Sequence, residues 1–123
     1  MMTGHVNKNL EAVLALSIFG ADGVASEITA VMDTGYSGFL ALPAALLISL
    51  GCKLSGSAQL TLADGSEINS DVYEATILWE GHPLKLQVDV LEAESLVGMA
   101  LLKGHDLQIR AEVNGPVTIT PIQ

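Results

Sequence analysis

The run Val31-Met32-Asp33-Thr34-Gly35-Tyr36-Ser37-Gly38-Phe39-Leu40 decides how this chain is read. Two apolar residues end in a carboxylate, a loop-forming Thr-Gly follows, and apolar residues resume at Phe39. Gly35 allows close backbone approach, and its amide can donate to the carboxylate of Asp33 and fix its direction. The Thr34 hydroxyl can bond to backbone and lock the loop. An acid held rigidly in an apolar stretch is placed for proton chemistry. One fixed carboxylate makes a poor hydrolase. Two carboxylates about 3 Å apart cannot both ionise, so they share one proton. One then works as base on a bound water while the other protonates the carbonyl oxygen. The chain has a single Asp-Thr-Gly triplet, so a pair requires a second copy related by a two-fold axis.

On composition alone such a triplet arises by chance in roughly one chain in forty of this length, and most are turns. Its surroundings carry the argument further. Leu10 to Phe19 and Val24 to Met32 read as a hairpin around Gly20-Ala21-Asp22-Gly23, delivering Asp33 at its end. Val24, Ser26, Ile28, Ala30 and Met32 fall on one face. Phe39 to Leu42 is a short strand. Pro43 then opens a helix to about Leu50, with Gly51 as its stop. Ala58 to Leu62 and Glu67 to Tyr73 flank Ala63-Asp64-Gly65-Ser66, a strong hairpin signal. These arms carry Gln59, Thr61, Glu67, Asn69 and Asp71, so this hairpin projects from the core. Ala75 to Trp79 and Leu84 to Val90 make another hairpin around Glu80-Gly81-His82-Pro83. Leu96-Val97-Gly98 ends a buried strand, and Met99 to Lys103 forms a short helix stopped by Gly104. Leu107 to Val113 and Val117 to Thr120 close the chain around Asn114-Gly115. Residues 1–9 read as a flexible, polar N-terminus. The expectation is a single all-β, barrel-like domain over residues 10–123 with one or two short helices.

The segment from Val31 to Leu40 resembles the active-site segment of retroviral-type and pepsin-like aspartic proteases. Leu96-Val97-Gly98-Met99-Ala100-Leu101-Leu102 resembles their second hallmark, two apolar residues and a glycine followed by a short helix. The Asp64-Gly65 hairpin lies where that family has its flap. This order of segments covers about residues 10 to 121. It is most similar to the single-lobed, retropepsin-like members, in particular the small bacterial type, through Gly38, Leu42-Pro43 and the helix that follows. The resemblance implies a retropepsin-like barrel and a homodimeric aspartic endopeptidase acting on polypeptides with water as nucleophile. No metal or cofactor is implied. Asp33 would be the catalytic acid/base and Thr34 a cross-dimer lock. Gly35, Tyr36, Ser37, Asp64 and Gly65 would border the substrate, and Leu96, Val97 and Gly98 would support the loop from behind. Tyr36 replaces the small residue usual after the triplet, which implies a narrowed or reshaped pocket. The rival reading is a peptide- or protein-binding module of the same fold that does not cleave.

Composition excludes other classes. The 123 residues include 14 acidic and 5 basic ones, giving a net charge of −9. Nucleic-acid binding and anionic membrane surfaces both need the Lys and Arg that are scarce here. Half the residues are hydrophobic and 15% are charged, a surplus that an apolar interface between chains would absorb. The apolar run Phe39 to Leu50 is too short to span a bilayer and contains Pro43. One cysteine, Cys52, permits no internal disulfide. The expected setting is soluble and cytoplasmic. His5, His82 and His105 lack metal-ligand spacing. Gly35-Tyr36-Ser37-Gly38 is no nucleophile elbow, because Phe39 takes the place of the last glycine. Cys52 and Trp79 read as core or interface residues.

Overall fold

Alternation sets the first sheet pair. In β2 (Ala12–Phe19) the side chains of Leu14, Leu16 and Ile18 are buried, and in β3 (Ala25–Met32) so are Ala30 and Met32. The two strands pair antiparallel from Val13↔Val31 to Phe19↔Ala25, so β3 runs directly into Asp33. The computed structural model describes residues 1–61 and 63–123. Leu62, expected at the end of a strand, lies outside the described residues.

After the Asp33 loop comes β4 (Leu40–Leu42), entirely buried, and then helix α1 (Ala44–Ser49). Pro43 is its N-cap rather than its first helical residue, with φ −63° and ψ 143°. Gly51, at φ +71°, terminates it, a left-handed position that suits glycine. Strands β5 (Lys53–Thr61) and β6 (Glu67–Trp79) form the Asp64-Gly65 hairpin, and β7 (His82–Val90) returns along β6. The two strands expected over 67–73 and 75–79 are one continuous strand. Its outer part, Glu67 to Asn69, is exposed, and from Val72 onward most side chains facing the barrel are buried. One strand thus serves both the projecting hairpin and the core.

The remaining elements are β8 (Leu96–Val97), helix α2 (Met99–Leu102), β9 (His105–Ile109) and β10 (Pro116–Pro121). Strand β9 ends at Ile109 rather than Val113. Beyond it the chain turns so that Asn114 N–H donates to the Val6 carbonyl and Val6 N–H to that of Gly115, at 2.8 and 2.9 Å.

Residues 1–9, expected as a loose end, hold β1 (Met2–Val6). It pairs with β10 from Met2↔Ile119 to His5↔Pro116 and with β2 through His5↔Val13 and Val6↔Ala12. The polarity that suggests a free end is alternation: Thr3 and His5 are exposed, while Val6 is buried between them and the core.

The sheet order is β5-β6-β7-β4-β8-β3-β2-β1-β10-β9, and a further pairing of β6 with β2, Ile18↔Ile77 and Phe19↔Thr76, bends the sheet back on itself. Inside lie Leu14, Leu16, Ile18, Leu40, Leu42, Leu47, Ile77, Val88, Val97, Val117 and Ile119, and no polar or charged side chain is buried among the described residues. Ile77 is fully buried at the β2–β6 closure. Ile77→Ala should cost about 2–5 kcal/mol by lost burial and the cavity left behind. The check is a lowered denaturant midpoint at unchanged m-value. No helix among the described residues is long and apolar enough to cross a membrane.

Candidate active site

The site is built where β8 is wedged between the strands on either side of the Asp33 loop. Strand β8 pairs parallel with β3 (Val31↔Leu96, Met32↔Val97) and antiparallel with β4 (Leu40↔Val97, Ala41↔Leu96). The strands entering and leaving the loop are therefore held apart by Leu96 and Val97, both buried. A strand flanked on both edges and covered on both faces must be apolar, which is why two apolar residues precede Gly98.

Asp33 is half-buried at the end of β3, and its N–H donates to the Val97 carbonyl at 2.9 Å. Its Oδ1 accepts the Gly35 N–H at 2.9 Å, and its carbonyl accepts the Tyr36 N–H at 3.2 Å. The carboxylate direction is thus set by the backbone of its own loop. Thr34, Gly35 and Ser37 are exposed. The loop rests on the start of α2: the carbonyls of Phe39, Tyr36 and Gly38 accept the N–H groups of Gly98, Met99 and Ala100 at 3.0, 2.8 and 3.1 Å. At Gly98 a Cβ would overlap the Gly38 carbonyl oxygen and lie 2.8 Å from that of Tyr36. No side chain fits at this crossing.

Tyr36 is directed into the loop's support. Its half-buried ring lies against Gly38 and Gly98, and its hydroxyl donates to Asp89 Oδ2, with the Leu40 carbonyl as a second acceptor at 3.2 Å. Burial first, then the bond to Asp89 and the charge of Asp89, hold the phenol well above the usual tyrosine range. Asp89 was not among the site residues expected from the sequence. Its signal there is a lone carboxylate inside the apolar run Val88-Asp89-Val90-Leu91.

Asp64 and Gly65 lie at the turn of the β5–β6 hairpin. Asp64 Oδ1 accepts the Ser66 N–H at 2.9 Å and the Ser66 hydroxyl at 2.5 Å, and Gly65 has φ +85°. The Ser66 bonds, the hydroxyl first, hold the exposed Asp64 carboxyl below its ordinary value. Among the described residues, no hydrogen bond joins this turn to the Asp33 loop. Leu96, Val97, Gly98 and Tyr36 are brought together with Asp33; Asp64 and Gly65 sit on a separate hairpin. A cleft of about 410 Å³ borders the strand entering Asp33 and is lined by Leu10, Glu11, Val31, Met32, Ile109 and Ala111, among others. Cys52 is partly buried against the core, which raises its thiol above the ordinary value, and Trp79 is buried with its ring edge-on to His105.

Among solved structures, the chain is similar to a retropepsin-like aspartic protease from Rickettsia conorii. The TM-score is 0.59 at 18% identity, over 98% of this chain and 89% of that one. It is also similar to the simian foamy virus (mac) protease in solution, with TM-score 0.49 at 18% identity, over 72% of this chain and 90% of that one. No family model and no curated protein sequence matches the chain. Strand order, the wedged β8 and the similarity to the Rickettsia structure give this chain the retropepsin-like fold.

Proposed function

We propose that the chain is an aspartic endopeptidase that works as a homodimer, each copy supplying one Asp33. The observation that carries this reading is the Asp33 carboxylate, fixed by the Gly35 N–H in an exposed loop on a buried β8–α2 support. A second copy facing this loop across a two-fold axis would bring two such carboxylates together. The shared proton would then let one act as base on water and the other as acid toward the peptide carbonyl. Phe39 and Met99, bonded through backbone to the same support, are exposed large apolar side chains. They supply surface that a second copy would cover. In the same reading, Thr34 locks the loops across the axis, and Gly35, Ser37, Asp64 and Gly65 border the substrate. The fold similarity to the Rickettsia protease supports this reading.

A peptide-binding module of this fold that does not cleave is the second reading. The flap turn favours it: the Ser66 amide and hydroxyl both bond back to Asp64 and so are not free for a substrate.

The deciding measurement is hydrolysis of an unstructured protein across pH, together with sedimentation. The peptidase gives a rate highest at acid pH, where the carboxylate pair holds one proton, and a dimer at working concentration. Tight binding of a statine-type transition-state mimic without turnover at any pH would select the binding module. A strict monomer that cleaves would overturn the shared site.

A further inference from the structure

The Tyr36–Asp89 bond joins residues 53 positions apart, the catalytic loop and the far end of β7. A phenol has one proton to give; the close Asp89 oxygen takes it, leaving the Leu40 carbonyl a secondary acceptor. Asp89 is registered opposite Ala41 of β4 and Val72 of β6, both buried. The bond therefore anchors the loop to a strand paired on both edges. The ring itself occupies the space beside Gly38 and Gly98; a Cβ at Gly98 would lie 2.6 Å from Tyr36 Cδ2. A hydroxyl-to-carboxylate bond in a partly dry setting is among the stronger hydrogen bonds. The neutral phenol that burial favours keeps its donor proton available.

We propose that Tyr36 and Asp89 are a positioning pair: their bond holds the Asp33 loop against β7 and so steadies the backbone that aims the carboxylate, with Tyr36 working from behind the loop rather than as a contact to substrate. The proposal rests on the peptidase reading for its effect on turnover, and on geometry alone for its effect on the loop. Its test uses Tyr36→Phe, which keeps the ring and removes only the hydroxyl, Asp89→Ala, which removes the acceptor where asparagine would keep one, and the double variant. Each single change should lower kcat about tenfold, less than the roughly 10²-fold that a full 1 Å misplacement costs, with KM unchanged within about twofold. The double variant should be no slower than the slower single one, because both remove the same bond. Wild-type kcat in the single variants, a change confined to KM, or losses that multiply would overturn the pair. Amide hydrogen exchange gives a readout that needs no turnover. In both variants the amides of Gly35 and Tyr36, bonded to Asp33, and those of Met99 and Ala100, bonded to carbonyls of the loop, should exchange about tenfold faster while those of β2 keep their protection. Unchanged exchange in the loop overturns the proposal. If the wild-type protein hydrolyses nothing, the peptidase reading fails, and exchange still decides whether the pair holds the loop.

Discussion

Asp33→Asn should abolish hydrolysis, lowering kcat by about 10³-fold, while the protein stays folded. Asparagine has the shape of aspartate, and its Oδ1 can still accept the Gly35 N–H that aligns the side chain at 2.9 Å. It cannot take a proton from water or share one with a second carboxylate. The loop survives and the chemistry does not. A mixing experiment separates a shared site from a self-contained one. When equal amounts of wild-type and Asp33→Asn chains exchange freely, about a quarter of the dimers are wild-type on both sides. Activity should then fall to about half that of the same wild-type chains alone. A site complete in one chain would lose nothing on mixing. Equal cleavage by the variant alone would sink the mechanism altogether.

Gly98→Ala should be the most disruptive single methyl in the chain's second hallmark. Gly98 has φ −101° and ψ 177°, extended values open to any residue, so the penalty is not conformational. It is steric: the methyl would meet the carbonyl oxygens of Gly38 and Tyr36. Both oxygens are held by the N–H groups of Ala100 and Met99, so neither can withdraw without breaking a bond. A cost of about 3 kcal/mol is expected, at the upper end for overpacking, equivalent to a fall in Tm of roughly 10 °C. Turnover should fall as well, because the displaced oxygens belong to the Asp33 loop. Gly104→Ala is the control. Gly104 has φ +81° and open space around its Cβ position, so it should cost only the left-handed strain of about 1–2 kcal/mol. If Gly98→Ala is no worse than Gly104→Ala, the close crossing is not what fixes the loop.

Much of the fold was legible because its signals are local. Gly20-Ala21-Asp22-Gly23 and Asp64-Gly65 announce hairpins by turn chemistry, and Leu14, Leu16 and Ile18 announce a half-buried strand by period. The breaks at Gly51 and Gly104 follow from residue type and coincide with positive φ values. The misses share a cause. β1 looks like a polar end because two outward residues, Thr3 and His5, dominate five; only its partners β2 and β10 make it a strand. Sequence pattern divides the unbroken β6 at Glu74, because a polar residue between apolar ones resembles a boundary. In the structure Glu74 is paired on both sides, with Lys53 and Gln87. Tyr36 showed its size in the sequence but not its direction. That depends on Asp89, whose approach requires β7 to run parallel to β4.

For the Asp-Thr-Gly loop, the sequence by itself determined the chemical groups and their order. Asp33, Thr34 and Gly35, the later Leu96-Val97-Gly98 and the hairpin between them could be assigned from residue types and turn propensities, which act over a few residues. Tertiary structure decided what those groups touch. It placed β8 between β3 and β4, left no room for a side chain at Gly98, and turned Tyr36 toward Asp89. Such contacts depend on strand pairing and on the volume left by other elements. A local sequence pattern carries neither.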